Sequence, residues 1–94
     1  MSTVLRVQLY VAGDGPNSLA ALTNLRGVLA RYPGYQVDLE IIDVIANPEI
    51  GVRAGVLITP MLLKLAPHPE RRLLGNLKDQ SILVAALGLD QGEG

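Results

Sequence analysis

The sequence predicts a single α/β domain whose elements run βαβ, short α, ββα. Three observations predict it. An apolar, β-branched run (VLRVQLYV, Val4 to Val11) is followed by a segment with helical spacing, Pro16 to Tyr32. A second run, Tyr35 to Val44, alternates apolar and polar residues. Beyond it, two proline-punctuated runs lead into a closing segment with a helical face. Two parallel strands with a crossover helix, then a hairpin and a covering helix, make the thioredoxin-like order, a βαβαββα sandwich.

Each element has its own justification. Val4, Leu5, Val7, Leu9, Tyr10 and Val11 read as a buried strand. AGDGPNS, residues 12–18, is a cluster of turn formers. In the next segment Leu22, Leu25, Val28, Leu29 and Tyr32 step by three and four, the spacing of an amphipathic helix. Asn17 or Ser18 is available to cap it, or Pro16 to open its first turn, and Pro33-Gly34 stops it. In the second strand Val37, Leu39 and Ile41 face one way and Gln36, Asp38 and Glu40 the other, which suits a sheet edge. Asn47-Pro48-Glu49 reads as the start of a short helix, with Asn as cap and Pro at its first position; Gly51 interrupts it and Gly55 ends it.

Val56 to Ala66 is nearly all apolar, but proline is excluded from a central ladder, so the strand proper begins at about Pro60. Pro67 and Pro69 mark a turn, and Glu70 to Gly75 forms the second arm of a hairpin. Asn76 to Leu89 closes the fold as a helix, with Asn76 as a cap and Ile82, Leu83, Ala86 and Leu87 on one face. Residues 81–89 (SILVAALGL) satisfy strand and helix patterns alike. The tail, about 90–94, is expected to be loose.

Composition narrows the chemistry. The 94 residues carry 8 Lys+Arg against 9 Asp+Glu, a net charge of −1, which is too balanced for a phosphate-hugging surface. No nucleic-acid partner is expected. There is no cysteine, so disulfide exchange, thiolate catalysis and Cys-type zinc sites are excluded; the single histidine, His68, excludes a His-rich metal site. With no Phe or Trp the core falls to Leu, Ile and Val. At this length stability is modest, and partners or self-association add to it. No run has signal-peptide or membrane-span character, so the chain reads as cytosolic, with no membrane partner.

Few residues offer chemistry. After the first strand, where a redox thioredoxin carries its cysteine pair, stands Gly13-Asp14-Gly15-Pro16-Asn17-Ser18. A helix N-terminus there can receive an anion, but the nucleophile is gone and a plain βα turn suffices. A glutathione-transferase-like use of Ser18 needs an activating base, and none is visible. Asp38, Glu40 and Asp43 have no nucleophile or metal partner in the pattern and read as a solvated face. Thr59-Pro60 occupies the place where thioredoxin-like folds carry a cis proline. Arg71-Arg72, with Lys64 on the facing strand and Arg53 nearby in sequence, suggests a small basic patch for an acidic partner; charge protection of an edge strand explains it equally. No cofactor and no catalytic residue is expected.

The motifs carry a resemblance. YVAGDGPNSLAAL (10–22), IIDVIANPEI (41–50) and ITPMLLKLAPHPERRLLGNL (58–77) agree in order and spacing with the KaiB family of cyanobacterial clock proteins, over about residues 5–90. The resemblance implies an adaptor rather than an enzyme. Family members bind the N-terminal ATPase ring of hexameric KaiC, displace the thioredoxin-like sensor domain of the kinase SasA, and engage KaiA; CikA-like proteins are implied as further partners. It also implies a fold switch between a resting form, often a tetramer, and a thioredoxin-like monomer. The implied KaiC-facing residues are Asn47, Pro48, Arg53, Thr59, Pro60, Arg71 and Arg72. The implied switch residues are Pro60, Pro67, Pro69, Ala86 and Gly88. Two packings of one half-chain need differ by only a few kcal/mol for both to be populated, and proline isomerisation makes the exchange slow.

The chain departs from the family pattern at the switch. The usual closing segment has Gly, then Asp two residues on; Ala86 and Gly88 stand there. Alanine favours helix over glycine by about 1 kcal/mol, which biases the chain towards the thioredoxin-like monomer and makes a tetramer minor. Gly51-Val52-Arg53-Ala54 and Gly55 replace the usual acidic stretch and lysine, so contacts of the short helix differ. The polar edge strand 36–44 offers itself to a second partner by strand addition. Alternatives are a SasA-type sensor domain, which binds the same ring without switching, and a paralogue serving a stress-related KaiC pathway.

Overall fold

A computed structural model of the chain describes residues 4–89. The loose tail expected over about 90–94 lies outside them. The elements are β1 (Val4–Val11), α1 (Pro16–Ala30), β2 (Gln36–Asp43), α2 (Pro48–Ala54), β3 (Met61–Ala66), β4 (Arg71–Leu74) and α3 (Gln80–Leu87). They form one four-stranded sheet in the order β2-β1-β3-β4. β1 pairs parallel with β2 and antiparallel with β3, and β3 with β4 forms the hairpin. The thioredoxin-like order is the one observed.

Strand alternation assigns each face of the sheet. Leu5, Val7, Leu9 and Val11 of β1, with Leu62 of β3, point into the main core with Ala21, Leu25 and Val28 of α1 and Leu83 and Leu87 of α3. The opposite face carries a smaller cluster, Tyr10, Ile42, Met61 and Leu63, against which Val44, Ala54 and Val56 pack. The short α2 covers only one end of that face. At the other end Arg6 and Asp38 form an exposed ion pair at 3.7 Å. There too Gln8 donates to Glu40 at 3.0 Å and accepts from the Tyr10 hydroxyl at 2.7 Å.

Several expectations are corrected in detail. Gly15 is the N-cap of α1 and Pro16 opens its first turn, without a side-chain cap from Asn17 or Ser18. In β2 the apolar alternation holds through Val37 and Leu39; Ile41 is exposed, and Ile42 is buried on the other face. Gly51 does not interrupt α2. A Cβ there would lie 3.0 Å from Cγ1 of Val44, so glycine is what lets the helix sit against the end of β2. Gly55, in the left-handed conformation with φ 73°, ends α2 as expected.

The closing helix begins at Gln80, not Asn76. Asp79 caps it by accepting from the Ile82 N–H at 3.2 Å. Asn76 instead accepts from the Lys78 N–H, and Leu77 takes a positive φ of 62° that puts its side chain in the core. Ile82 is exposed rather than on the buried face. Gly88 adopts a left-handed C-cap, the terminating role expected of it.

Candidate functional site

The end of the sheet where β1 and β2 finish and β3 begins gathers most of the implied partner-facing residues. Asn47 occupies the N-cap position of α2, but its side chain does not cap; Nδ2 donates to the Asp43 carbonyl at 3.2 Å. Pro48 opens the helix and Arg53 lies in its last turn, both exposed. The Thr59–Pro60 peptide is cis, as are Ala66–Pro67 and His68–Pro69. Pro60 is buried at the entrance to β3, and its carbonyl accepts from the Gly75 N–H at 2.9 Å.

Asp43 ties the loops of this end together. Its Oδ1 accepts from the Gly13 N–H at 3.1 Å and from the Ile45 N–H at 2.9 Å. These backbone donors hold its carboxyl below the ordinary carboxylate value, the Gly13 bond contributing most. The βα turn after β1 is thus pinned to the loop leading into α2. Ser18 is buried, and no hydrogen bond joins its hydroxyl to a carboxylate or imidazole among the described residues.

Around this scaffold lies an exposed apolar surface that sequence reading misses. Leu57 is 94% exposed and Val52 78%; Ile45 and Ile58 are exposed as well. Scattered exposed apolar residues are ordinary, but four on α2 and the loops before and after it, at one end of a sheet, invite a partner. The signal that could have found them is Pro60. Leu57 and Ile58 precede a proline that bars the strand from starting earlier, so those side chains have no ladder to carry them into the core.

The arginine pair splits. Residues alternate across a strand, so Arg72, opposite Leu63, lies on the α2 face, and Arg71, opposite Lys64, lies on the α3 face. Arg72 Nη1 reaches Sδ of Met61 at 3.6 Å, and the guanidinium passes 3.8 Å from a Cβ position on Gly55. Arg72 therefore joins Arg53 near the C-terminal end of α2, and Arg71 does not. Lys64 does not belong to a surface patch, as its charge suggests; it is buried, at 4% exposure. Among the described residues no cluster of His, Cys, Asp or Glu is arranged to hold a metal ion, and no helix is long and apolar enough to cross a membrane.

The same arrangement of elements occurs in known proteins. The N-terminal domain of Synechococcus elongatus SasA superposes with a TM-score of 0.78 at 27% identity, covering 100% of this chain and 90% of that one. Chloroplastic thioredoxin z superposes at 0.74 with 20% identity, covering 97% and 80%, a likeness of fold alone. In sequence, residues 8–89 match the KaiB domain. The chain belongs to the KaiB family. The circadian clock oscillator protein KaiB of Synechococcus elongatus is 40% identical over 88 residues, 93% of this chain and 85% of that protein. A KaiB of Prochlorococcus marinus is 41% identical over 83 residues, 88% and 71% respectively. KaiB-family residues here adopt the shape shared with the SasA domain.

Proposed function

We propose that this chain is a non-catalytic clock adaptor that docks, in its thioredoxin-like form, on the N-terminal ATPase ring of a KaiC-like hexamer. A KaiB-family sequence in the shape of the SasA sensor domain is the observation that carries this reading. Two proteins that share a fold and an end of the sheet are suited to compete for one surface, which gives displacement of a SasA-type kinase without further machinery. The docking surface is the α2 end of the sheet. Leu57, Ile58 and Val52 supply apolar area, Arg53 and Arg72 supply charge for an acidic rim, and Asn47, Pro48, Thr59 and Pro60 hold the loops in place. Apolar anchors ringed by charge are how compact interfaces obtain their affinity.

KaiA-like and CikA-like proteins follow as further partners, with the cytoplasm as the site of action. The α2–α3 half retains the capacity to repack into the family's resting form, and the thioredoxin-like monomer is the major state. Gel filtration of the chain with and without a KaiC ring and nucleotide tests the reading. Co-elution with the ring, lost on Leu57→Asp with Ile58→Asp, is the expected result. Failure to co-elute with any KaiC-like ring under any nucleotide rejects it.

A further inference from the structure

At the far end of β3 from the docking surface, the structure holds a cavity of about 190 Å³ between the Pro67-His68-Pro69 turn and the end of α3. One water needs about 10–15 Å³ by such a measure, so the space takes a polyatomic ligand. Lys64, His68 and Arg71 line it, together with Tyr35 and the backbone around Gly88, and among the described residues no carboxylate does. Lys64 is 4% exposed, yet no hydrogen bond or ion pair reaches its ammonium among the described residues. The carbonyls of Val84 and Ala85 at the end of α3 are already taken by the Gly88 N–H.

The register sharpens the problem. Lys64 pairs directly with Arg71 across the hairpin, and like charges so placed repel. Burial and the Arg71 charge both push the Lys64 ammonium below its ordinary value. A buried, unpaired cation facing a second cation is costly unless an anion completes the site. Arg71 and His68 are exposed at the mouth, so the cavity is reachable from solvent. A guanidinium fork beside a lysine suits an oxygen anion, by bidentate and point-charge contacts.

We propose that the Lys64–His68–Arg71 cavity is a binding site for a small oxyanion, a phosphate or a carboxylate group. The site lies outside the docking surface and stands or falls independently of it. Free phosphate in solution is one source. The carboxylates of Asp90 and Glu93, which follow Leu89 in the sequence, are the other.

The test is a phosphate titration of the full chain at constant ionic strength, followed by amide NMR. Saturable shifts confined to residues 64–71 and 85–89 are expected, with the thermal midpoint raised by roughly 5–10 °C at ten times the dissociation constant. Lys64→Met abolishes both effects. Should that variant not fold, Arg71→Gln, at an exposed position, weakens binding at least tenfold. If the chain's own acids fill the site, Asp90→Asn with Glu93→Gln binds phosphate more tightly than the parent, which supports the same oxyanion chemistry. Absence of saturable shifts in both the parent and that acid-neutralised variant overturns the proposal. So does a phosphate response that Lys64→Met or Arg71→Gln leaves unchanged.

Discussion

In the first half of the chain, two eight-residue strands pair in parallel along their whole length and a fifteen-residue helix spans one face. In the second half, helices of seven and eight residues and strands of six and four complete the other side. Helices that short are marginal on their own in water, so α2 and α3 owe their shape to what they pack against. α2 is held where Gly51 meets Val44, and α3 by Leu83 and Leu87 in the core. The difference teaches where the proposed repacking has room to occur. β1–α1–β2 carries its own hydrogen-bonded frame; the β3–β4 hairpin joins it through the β1–β3 ladder, and α2 and α3 are held on by side chains.

Core truncation breaks the comparison most directly. Leu9 and Leu83 are both fully buried, one in the central strand and one in the closing helix. Leu→Ala at either site costs about 2–5 kcal/mol, a large fraction of a small domain's stability. Leu9→Ala is expected to accelerate amide exchange throughout the molecule. Leu83→Ala is expected to accelerate it first over 61–87 while 4–43 stays protected. Equal acceleration in both halves would show one cooperative unit and remove the asymmetry.

The docking surface gives the next largest effect. Leu57→Asp with Ile58→Asp changes exposed side chains and leaves stability within about 0.5 kcal/mol per site. If these are the central anchors, affinity for a KaiC-like ring falls by at least about 30-fold, roughly 2 kcal/mol. A titration of the ring by fluorescence anisotropy measures it. Undiminished binding moves the interface elsewhere.

A smaller effect sharpens the reading of the closing helix. Ala86→Gly lowers helix propensity by about 1 kcal/mol. Gly88→Asp places a side chain on a left-handed residue, φ 75°, where glycine is favoured. The two together weaken the closing helix and its C-cap, and on the proposed reading are expected to raise any resting, tetrameric population about tenfold on gel filtration. A monomer that persists unchanged under both substitutions separates this chain's folded state from its closing-helix composition.

The two halves are not equally legible in the sequence. β1 and β2 can be read to within a residue at each end, because their long periodic runs leave one pattern to choose. The cap of α3 lies three residues beyond where the sequence suggests, because Asn76 and Asp79 are both competent caps and the burial of Leu77 takes the chain past the first of them. Gly51 reads as a break because a sequence does not show Val44 lying against it. In the candidate site, turn chemistry marks Asn47-Pro48 as a helix start and Thr59-Pro60 as a strand entrance, and only the family resemblance implies that they face a partner. Leu57 and Ile58 are not visible as surface, because an apolar run reads as core until the fold leaves it uncovered. Lys64 is hidden for the opposite reason, since a charged residue reads as surface.

Acid gives the last contrast, because the two carboxylates whose values hydrogen bonds lower act on different parts of the molecule. Asp79 caps α3, and its carboxyl is held down by the Ser81 hydroxyl first and by the Ile82 N–H next. Asp43 anchors the loop before α2 through Gly13 and Ile45. Both have folded-state values below the ordinary 3.8, so the unfolded chain binds more protons as pH falls. Their stabilisation is complete above the unfolded value and is lost as pH drops from about 4 through the folded values. Both groups are accessible to water, so solvent screening keeps each effect small. Asp79→Ala should flatten the acid limb of a thermal-midpoint profile below about pH 4, and should loosen amides 80–84 at neutral pH while leaving β1 and β2 unchanged. Asp43→Ala should loosen 12–15 and 44–48 instead. An acid limb unaltered in both variants would assign the pH dependence to other carboxylates and uncouple it from the ends of α2 and α3.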